Sequence, residues 1–186
     1  YMSKRIVYVV NVDWFFISHR LPLAKEALKR GWEVYLVTKN TGKFQELTKL
    51  NIKCITVNFD RSGKNFFKEL SLIYKLRKIY KKIKPDIIHH VTLKPSIYGT
   101  IAANSLKNSA RIINAVSGLG YSFTDNRKTI STKILVKLLR IAFKSKSSNF
   151  IFQNPDDQKT YNDFGFLNSK NHMIIRGSGV DENEFP

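Results

Sequence analysis

The stretch Pro85-Asp-Ile-Ile-His-His-Val-Thr-Leu-Lys-Pro95 decides the fold that this sequence predicts. Its segment 86–91 is short, apolar and rich in β-branched residues, and a proline lies on each side of it. A helical pattern, Ser96-Ile-Tyr-Gly-Thr-Ile-Ala-Ala103, follows it directly. Such a pair is typical of a parallel strand in an α/β sheet. The loop after such a strand lies at the carboxyl edge of the sheet, where open α/β folds bind ligands.

We expect this loop to carry four polar side chains: His89, His90, Thr92 and Lys94. Because neighbouring residues of a strand point to opposite faces, one histidine is expected to be structural. We predict that His90, nearer the carboxyl end, faces the ligand. Lys94 is expected either to neutralise a phosphate or to be solvated. No acid or cysteine stands at ligand spacing from the histidines, so we predict no metal site.

Strand and helix patterns alternate along the rest of the chain. Six further strands are predicted at residues 5–11, 33–38, 53–59, 111–116, 149–152 and 173–175. Helices are predicted at residues 23–29, where Pro22 opens the helix, 43–50, 65–83, 95–106, 127–146 and 156–164. This alternation predicts an α/β fold, a Rossmann-like doubly wound parallel sheet. We expect the domain to span residues 2–176 and a linker to begin at 177–186.

Two more predicted loops at the carboxyl edge carry candidate ligand-binding residues. The first, residues 12–20, is rich in aromatic side chains, follows Asn11, and contains Asp13 and His19. Asp13 is expected either to accept hydrogen bonds from sugar hydroxyls or to cap the turn. His19 is expected either to pack inside the protein or to bind the ligand. Ser117, Gly118 and Gly120 follow the fifth strand, where glycines permit a ligand to approach the backbone or simply form a turn.

The formal charge of +18 predicts a polyanionic partner. Residues 64–84 and 127–146 carry +7 each. In the second stretch a stripe of basic residues runs between apolar ones, which favours either a helix in a membrane interface or a buried helix whose basic side chains face water. The stripe consists of Lys133, Lys137, Arg140 and Lys144. Nucleic acid is disfavoured as the partner, because no recognition motif accompanies the charge.

Five blocks of sequence, in order, resemble the amino-terminal half of the family 4 glycosyltransferases with the GT-B fold. These enzymes extend undecaprenyl-linked sugars or capsule and lipopolysaccharide chains. The blocks cover nearly the whole chain and are Asp13-Trp-Phe-Phe-Ile-Ser-His-Arg-Leu-Pro-Leu-Ala24, His89-His-Val-Thr-Leu-Lys-Pro95, Asn114-Ala-Val-Ser-Gly-Leu-Gly-Tyr121, Phe152-Gln-Asn-Pro-Asp-Asp157 and Gly177-Ser-Gly-Val-Asp181.

The resemblance implies that this chain is the acceptor-side domain of a retaining glycosyltransferase. A carboxy-terminal domain missing from this chain would bind the nucleotide-sugar donor, and no cofactor is expected in this segment. This agrees with the lack of G-x-G-x-x-G and G-x-x-x-x-G-K-[ST] motifs. The implied partners are a lipid-linked glycan acceptor and an anionic membrane surface. The implied location is cytoplasmic and peripheral, at the inner face of a bacterial membrane.

The sequence departs from the family pattern at two places, so no catalytic residue is assigned. Val12-Asp-Trp-Phe replaces a Gly-Gly loop, and Asn114-Ala-Val-Ser117 occupies the region of a donor-contacting histidine. The sugar implied is an N-acetylhexosamine or a related hexose. Two alternatives from other classes stay open: a non-catalytic sugar- or lipid-binding module, and a basic nucleic-acid-binding domain.

Overall fold

The structure, a computed structural model, describes residues 3–59, 66–106, 110–116, 130–144 and 148–177. Within them, seven strands form: β1 Arg5–Val12, β2 Glu33–Lys39, β3 Ile52–Thr56, β4 Ile87–Val91, β5 Arg111–Val116, β6 Ser148–Phe152 and β7 His172–Ile174. The helices of the same part of the chain are α1 Asp13–Lys29, α2 Phe44–Lys49, α3 Phe66–Ile83, α4 Leu93–Asn104, α5 Ile130–Phe143 and α6 Pro155–Asp163.

All the strands are parallel and form one sheet in the order β3-β2-β1-β4-β5-β6-β7. This confirms the predicted Rossmann-like, doubly wound sheet. The chain proceeds outward from β1 to β3 and then returns to place β4 on the other side of β1. The crevice between the carboxyl ends of β1 and β4 is therefore the topological switch point, where such sheets bind ligands.

Each face of the sheet has its own apolar core. The side chains of α1 and α2 pack on one face, with Phe16, Ala24 and Leu47 fully buried there. The helices α3 to α6 pack on the other face, and Leu76 and Tyr161 are among their fully buried residues. Because side chains alternate along a strand, successive residues of β4 belong to different cores.

The first helix begins ten residues earlier than the sequence predicts. Pro22 lies inside α1 and does not open it, and the predicted loop 12–20 is helical from Asp13 onward. A proline inside a helix costs about 3 kcal/mol, so propensity favoured the later start. Tertiary packing outweighs this cost: Asp13, Phe16 and Arg20 are buried along one side of the helix.

The other predicted elements agree with the structure to within a few residues. The largest difference is at β3, which ends at Thr56, three residues before the predicted end. The predicted helix 127–146 is observed as α5; residues 127–129, 145 and 146 lie outside the part of the chain that is described.

Strand β4 and helix α4 approach each other closely at Gly99, opposite the imidazole of His90. The ring is fixed on both sides: its Nδ1 donates to Oδ1 of Asn114 on β5 at 2.9 Å, and its Nε2 accepts from the hydroxyl of Tyr80 on α3 at 3.0 Å. A Cβ atom added at Gly99 would overlap Nε2 and Cδ2 of His90 and lie 3.0 Å from Cε1. The close packing therefore requires glycine at position 99.

We expect Gly99→Ala to destabilise the protein by about 1–3 kcal/mol, the usual cost of overpacking a core. The direction of this change in stability distinguishes close packing from an ordinary helix position, because in an ordinary helix interior the same substitution stabilises by roughly 0.5–1 kcal/mol. Urea unfolding measures the difference. In a double-mutant cycle with His90→Ala, the two costs should be less than additive, since the smaller side chain removes the overlap. A Gly99→Ala protein as stable as the wild type would contradict the packing described.

Candidate functional site

The carboxyl ends of β1 and β4 place Asn11 and Thr92 beside the switch point. Val9 pairs with His90, so Asn11 and Thr92 each follow by two residues on adjacent parallel strands. Thr92 has φ of 74° and ψ of 169°, a conformation that costs a β-branched residue of the order of 1–3 kcal/mol. Within the described part of the chain, Oδ1 of Asn11 and Oγ1 of Thr92 are buried without a hydrogen-bond partner. Strain and unsatisfied polar atoms at one edge are typical of a ligand site.

Asp13 is fully buried at the first position of α1 and joins that helix to the loop after β2. Its Oδ1 accepts from the backbone N–H of Trp14 at 2.8 Å and from the hydroxyl of Thr41. Its Oδ2 accepts from the N–H groups of Thr41 at 2.7 Å and Lys43 at 3.2 Å. Burial raises the pKa of Asp13, but these hydrogen bonds together lower it below its ordinary value. Four donors fill the acceptor capacity of a carboxylate, so the structure assigns Asp13 the capping role and leaves no position for a sugar hydroxyl.

The prediction that His90 is the ligand-facing histidine is wrong. Its side chain has no exposed surface and lies in the core beneath α3 and α4. Burial lowers the pKa of His90 to about 4, so the ring is neutral at physiological pH. The expectation of opposite faces is correct, but the packing of the helices determines that His89, and not His90, lines a cavity.

His89 lies on the α1 face, where it meets two side chains from neighbouring elements. Nε of Arg20 donates to Nε2 of His89 at 3.2 Å. The ring of Tyr8 packs edge-on against the imidazole, with centroids 5.4 Å apart. An arginine Nε always carries a proton, so Nε2 of His89 must be the acceptor and Nδ1 carries the hydrogen. Burial, followed by the charge of Arg20, lowers the pKa of His89 to about 3.

Beside His89, a cavity of about 60 Å³ opens between α1, the carboxyl ends of β4, β5 and β6, and the residues that follow β7. Arg20, His89 and Gln153 supply polar groups to its wall. The remainder of the wall is mostly apolar, with contributions from α1 and from strands β4 to β7: Phe15, Leu23, Val91, Ala115, Val116, Ile151 and Ile175. Two of these lining side chains, Leu23 and Ile175, are about half exposed, at 55% and 47%, so this part of the wall reaches the surface.

Of the remaining acceptor-binding candidates, Lys94 and His19 are not among the described residues that line this cavity. Lys94 lies in the first turn of α4 and forms an ion pair with Glu69 of α3, 3.2 Å between Nζ and Oε1. The ring of His19 stacks on Phe15, with centroids 4.0 Å apart, and the backbone carbonyl of His19 accepts a hydrogen bond from Nη1 of Arg20. The candidates after the fifth strand, Ser117, Gly118 and Gly120, lie outside the described residues.

Arg20 and Gln153 are site residues that sequence reasoning missed. A signal for Arg20 was present: it stands on the same side of α1 as Phe16 and Ala24, four residues from each, and both neighbours are fully buried. An arginine on the apolar side of an amphipathic helix must bury its charge or bring it to a cleft. Gln153 directly follows β6, so its placement depended on the strand order.

The basic stripe of α5 is exposed, as both alternatives for this helix require. Leu139, Ala142 and Phe143 pack against the sheet, whereas Lys133, Lys137, Arg140 and Lys144 face solvent. Ile134 and Ile141 are also exposed, at 54% and 53%, between the basic residues. No helix of the described segments is long and apolar enough to span a bilayer. Nor do those segments group three His, Cys, Asp or Glu side chains where they would hold a metal ion.

The sequence of this chain matches a known protein family over most of its length. The model of the glycosyl transferase 4-like family matches residues 5–154. The chain belongs to this family and forms an amino-terminal domain of the GT-B type.

Particular relatives agree with this assignment. A curated Campylobacter jejuni protein, N,N'-diacetylbacillosaminyl-diphospho-undecaprenol alpha-1,3-N-acetylgalactosaminyltransferase, is 26% identical over 97% of this chain and 48% of its own length. A glycosyltransferase from Rickettsia africae superposes with a TM-score of 0.64 at 19% identity, over 95% of this chain and 43% of its own. Anabaena HepE in complex with UDP and glucose superposes with a TM-score of 0.64 at 15% identity, over 97% and 46%. The chain thus spans about half the length of these proteins.

We expect stability to fall as the pH is lowered from about 6.5 to 5, through His89 and His90. The folded chain holds their pKa values at about 3 and about 4, against an ordinary 6.5. Below pH 6.5 the unfolded chain therefore binds protons that the folded chain does not, and the free energy of unfolding decreases. Urea unfolding at a series of pH values measures the slope, which should correspond to the uptake of up to two protons.

The strongly shifted carboxylate of Glu33 does not contribute in this window. Hydrogen bonds from Lys53, Tyr35 and Arg5 lower the pKa of Glu33 to about 2, from an ordinary 4.5, so its contribution is lost only at lower pH. His89→Gln and His90→Gln each remove one titrating group and should each reduce the slope. A free energy of unfolding that is constant between pH 7 and 5 would contradict the burial of two neutral histidines.

Proposed function

We propose that this chain is the acceptor-binding half of a glycosyltransferase that moves a sugar from a nucleotide-sugar donor to a lipid-linked glycan. The observation that carries the proposal is the similarity over 97% of the chain to an enzyme whose name specifies a diphospho-undecaprenol acceptor. Membership of the glycosyl transferase 4-like family supports the reaction class. The switch-point crevice and the adjacent cavity supply an edge at which such an acceptor would bind.

The finer parts of the proposal are the donor, the stereochemistry and the pathway. We propose an N-acetylhexosamine or related hexose as the sugar, transfer with retention, and a role in the synthesis of a bacterial polysaccharide. The Campylobacter relative transfers an N-acetylhexosamine, and HepE, which shares the fold, was solved with UDP and glucose. Because the chain covers 48% of that relative, the donor is assigned to the half that this chain does not cover.

Acceptor recognition is assigned to the loops after β1, β4 and β5. The strained Thr92 and the unsatisfied oxygen of Asn11 are at the ends of the first two strands. Ser117, Gly118 and Gly120 follow the third and remain candidates from the sequence alone. Asp13 and His90 support these loops from within, because their polar atoms are used in hydrogen bonds to the protein.

A membrane surface is the proposed location of the acceptor, at the inner face of the bacterial membrane. On α3, Phe67, Leu70 and Tyr74 recur at helical spacing and are 80%, 46% and 54% exposed. Lysines accompany them, and Nζ of Lys78 lies 4.6 Å from the ring centroid of Tyr74. The exposed Ile134 and Ile141 on α5 have similar basic neighbours. Apolar side chains flanked by lysines suit an anionic interface better than a nucleic-acid groove.

The test is transfer by the full protein of which this chain is a part. It would be incubated with UDP-activated hexoses and N-acetylhexosamines and with a glycan-diphosphate-polyprenol acceptor, either dispersed in detergent or embedded in anionic vesicles. We expect transfer with both forms of the acceptor and a product that retains the anomeric configuration. Glycan binding without any transfer would favour a non-catalytic module. Binding to duplex DNA with a steep salt dependence, and none to vesicles, would favour a nucleic-acid-binding protein.

A set of charge variants tests the membrane surface in the same assay. Replacing Lys133, Lys137, Arg140 and Lys144 together by Gln should lower transfer to vesicle-embedded acceptor at least tenfold, because each basic residue contributes about 1 kcal/mol near an anionic surface. The matched control replaces four exposed basic residues of α1 and α2, on the opposite face: Lys25, Lys29, Arg30 and Lys49. An equal loss in both sets would contradict the assigned surface.

A further inference from the structure

The cavity beside α1 has a buried positive charge in its wall. Arg20 is only 8% exposed, and among the described lining residues it is the one that carries a permanent charge. Arginine is the residue that most often recognises phosphate and carboxylate groups, through its planar fork of N–H donors.

The guanidinium is held in one orientation by two elements of the fold. Nε donates to Nε2 of His89 on β4 at 3.2 Å, and Nη1 donates to the carbonyl of His19 on α1 at 2.7 Å. His89 is itself fixed by the edge of Tyr8 on β1. A cation that is fixed in this way needs no reorganisation when an anion arrives, which is the condition for strong electrostatic binding.

The wall around Arg20 strengthens its electrostatic effect. Val91, Val116 and Ile151 line the cavity with apolar surface, and the first two are almost completely buried. Coulomb interactions are several times stronger next to such surface than in bulk water. The side-chain amide of Gln153 adds a further hydrogen-bonding group at the same wall.

The size of the cavity restricts the ligand. Its 60 Å³ is far below the roughly 300–1,000 Å³ of pockets that enclose a whole small molecule. A cavity of this size suits one small charged group, with the rest of its molecule outside. The half-exposed Leu23 and Ile175 in its wall bring the cavity to the surface, where that remainder would lie.

We propose that this cavity binds one phosphate group of a diphosphate-bearing ligand, with Arg20 as its cationic partner. Phosphate is favoured over carboxylate because the cavity lies at the carboxyl edge, next to the crevice assigned to the acceptor. To that extent the inference rests on the proposed function. The diphosphate of the lipid-linked acceptor and that of the nucleotide-sugar donor share this chemistry. His89 acts as a positioning residue, because its neutral Nε2 orients the guanidinium.

The first experiment measures the binding of inorganic pyrophosphate to the 186-residue chain by titration calorimetry. The variant is Arg20→Gln, and the matched control is Arg30→Gln, which removes the same charge from the exposed end of the same helix, where Arg30 pairs with Glu26. We expect Arg20→Gln to weaken pyrophosphate binding at least tenfold, and Arg30→Gln to change it less than twofold. Equal losses, or no binding by the wild type, would overturn the proposal.

A second measurement keeps the test valid if Arg20→Gln does not fold. The Nε–H signal of Arg20 in the wild-type chain should shift as pyrophosphate saturates the site, and an unchanged signal would overturn the proposal. His89→Gln, which retains an acceptor for Nε, should bind pyrophosphate better than His89→Leu. Equal binding by these two variants would overturn the positioning role of His89.

Two further ligands identify the source of the phosphate. Geranyl diphosphate imitates the acceptor and UDP imitates the donor. Tighter binding of geranyl diphosphate, lost in Arg20→Gln, assigns the cavity to the acceptor, whereas the same pattern with UDP assigns it to the donor. Binding of acetate as tight as that of pyrophosphate would overturn the choice of phosphate. Glycosyl transfer by a full-length protein whose cavity binds no diphosphate would refute this inference alone and leave the proposed function standing.

Discussion

The close contact between Gly99 and the imidazole of His90 is the constraint on which the centre of the domain depends. It lets α4 lie directly on β4, while Tyr80 and Asn114 hold the ring from α3 and β5. Four elements are thereby fixed around one neutral histidine in the middle of the sheet. The strained Thr92 at the switch point directly precedes α4, the helix that carries Gly99. A hydrogen-bonded polar group inside an apolar core specifies one arrangement more sharply than apolar contacts alone.

The two adjacent histidines of β4 lie on opposite faces of the sheet and have different environments. His90 lies in the core, where burial keeps the ring neutral and both ring nitrogens form hydrogen bonds. His89 lies on the α1 face, where it accepts a hydrogen bond from Arg20 at the wall of a small cavity. The same alternation that builds the sheet thus places a structural group and a functional group one residue apart. Charge on the outer helices and a fixed cation at the carboxyl edge suit the anionic lipid and the diphosphate that are proposed above as ligands.

The periodic features of the sequence were sufficient to predict the fold, and the site was not predictable to the same degree. Parallel pairing and the opposite directions of the two histidines follow from alternation and from short apolar runs. Which histidine faces the cavity depends on where α1 and α4 pack, and no local pattern encodes that. The early start of α1 depends on Asp13, whose partners Thr41 and Lys43 are distant in sequence. The low helix propensity of Pro22 favoured a later start of α1. The long-range hydrogen bonds of Asp13 outweighed it.

The most direct test of this account is the tautomer of each histidine, read from the ring ¹⁵N shifts at neutral pH. The hydrogen bonds described require both His89 and His90 to be neutral with the proton on Nδ1. His89 Nε2 accepts from Arg20, and His90 Nε2 accepts from Tyr80. The account predicts two Nδ1–H rings whose signals do not titrate between pH 7 and 5. An Nε2–H ring at either position, or a charged imidazolium in that range, would contradict it.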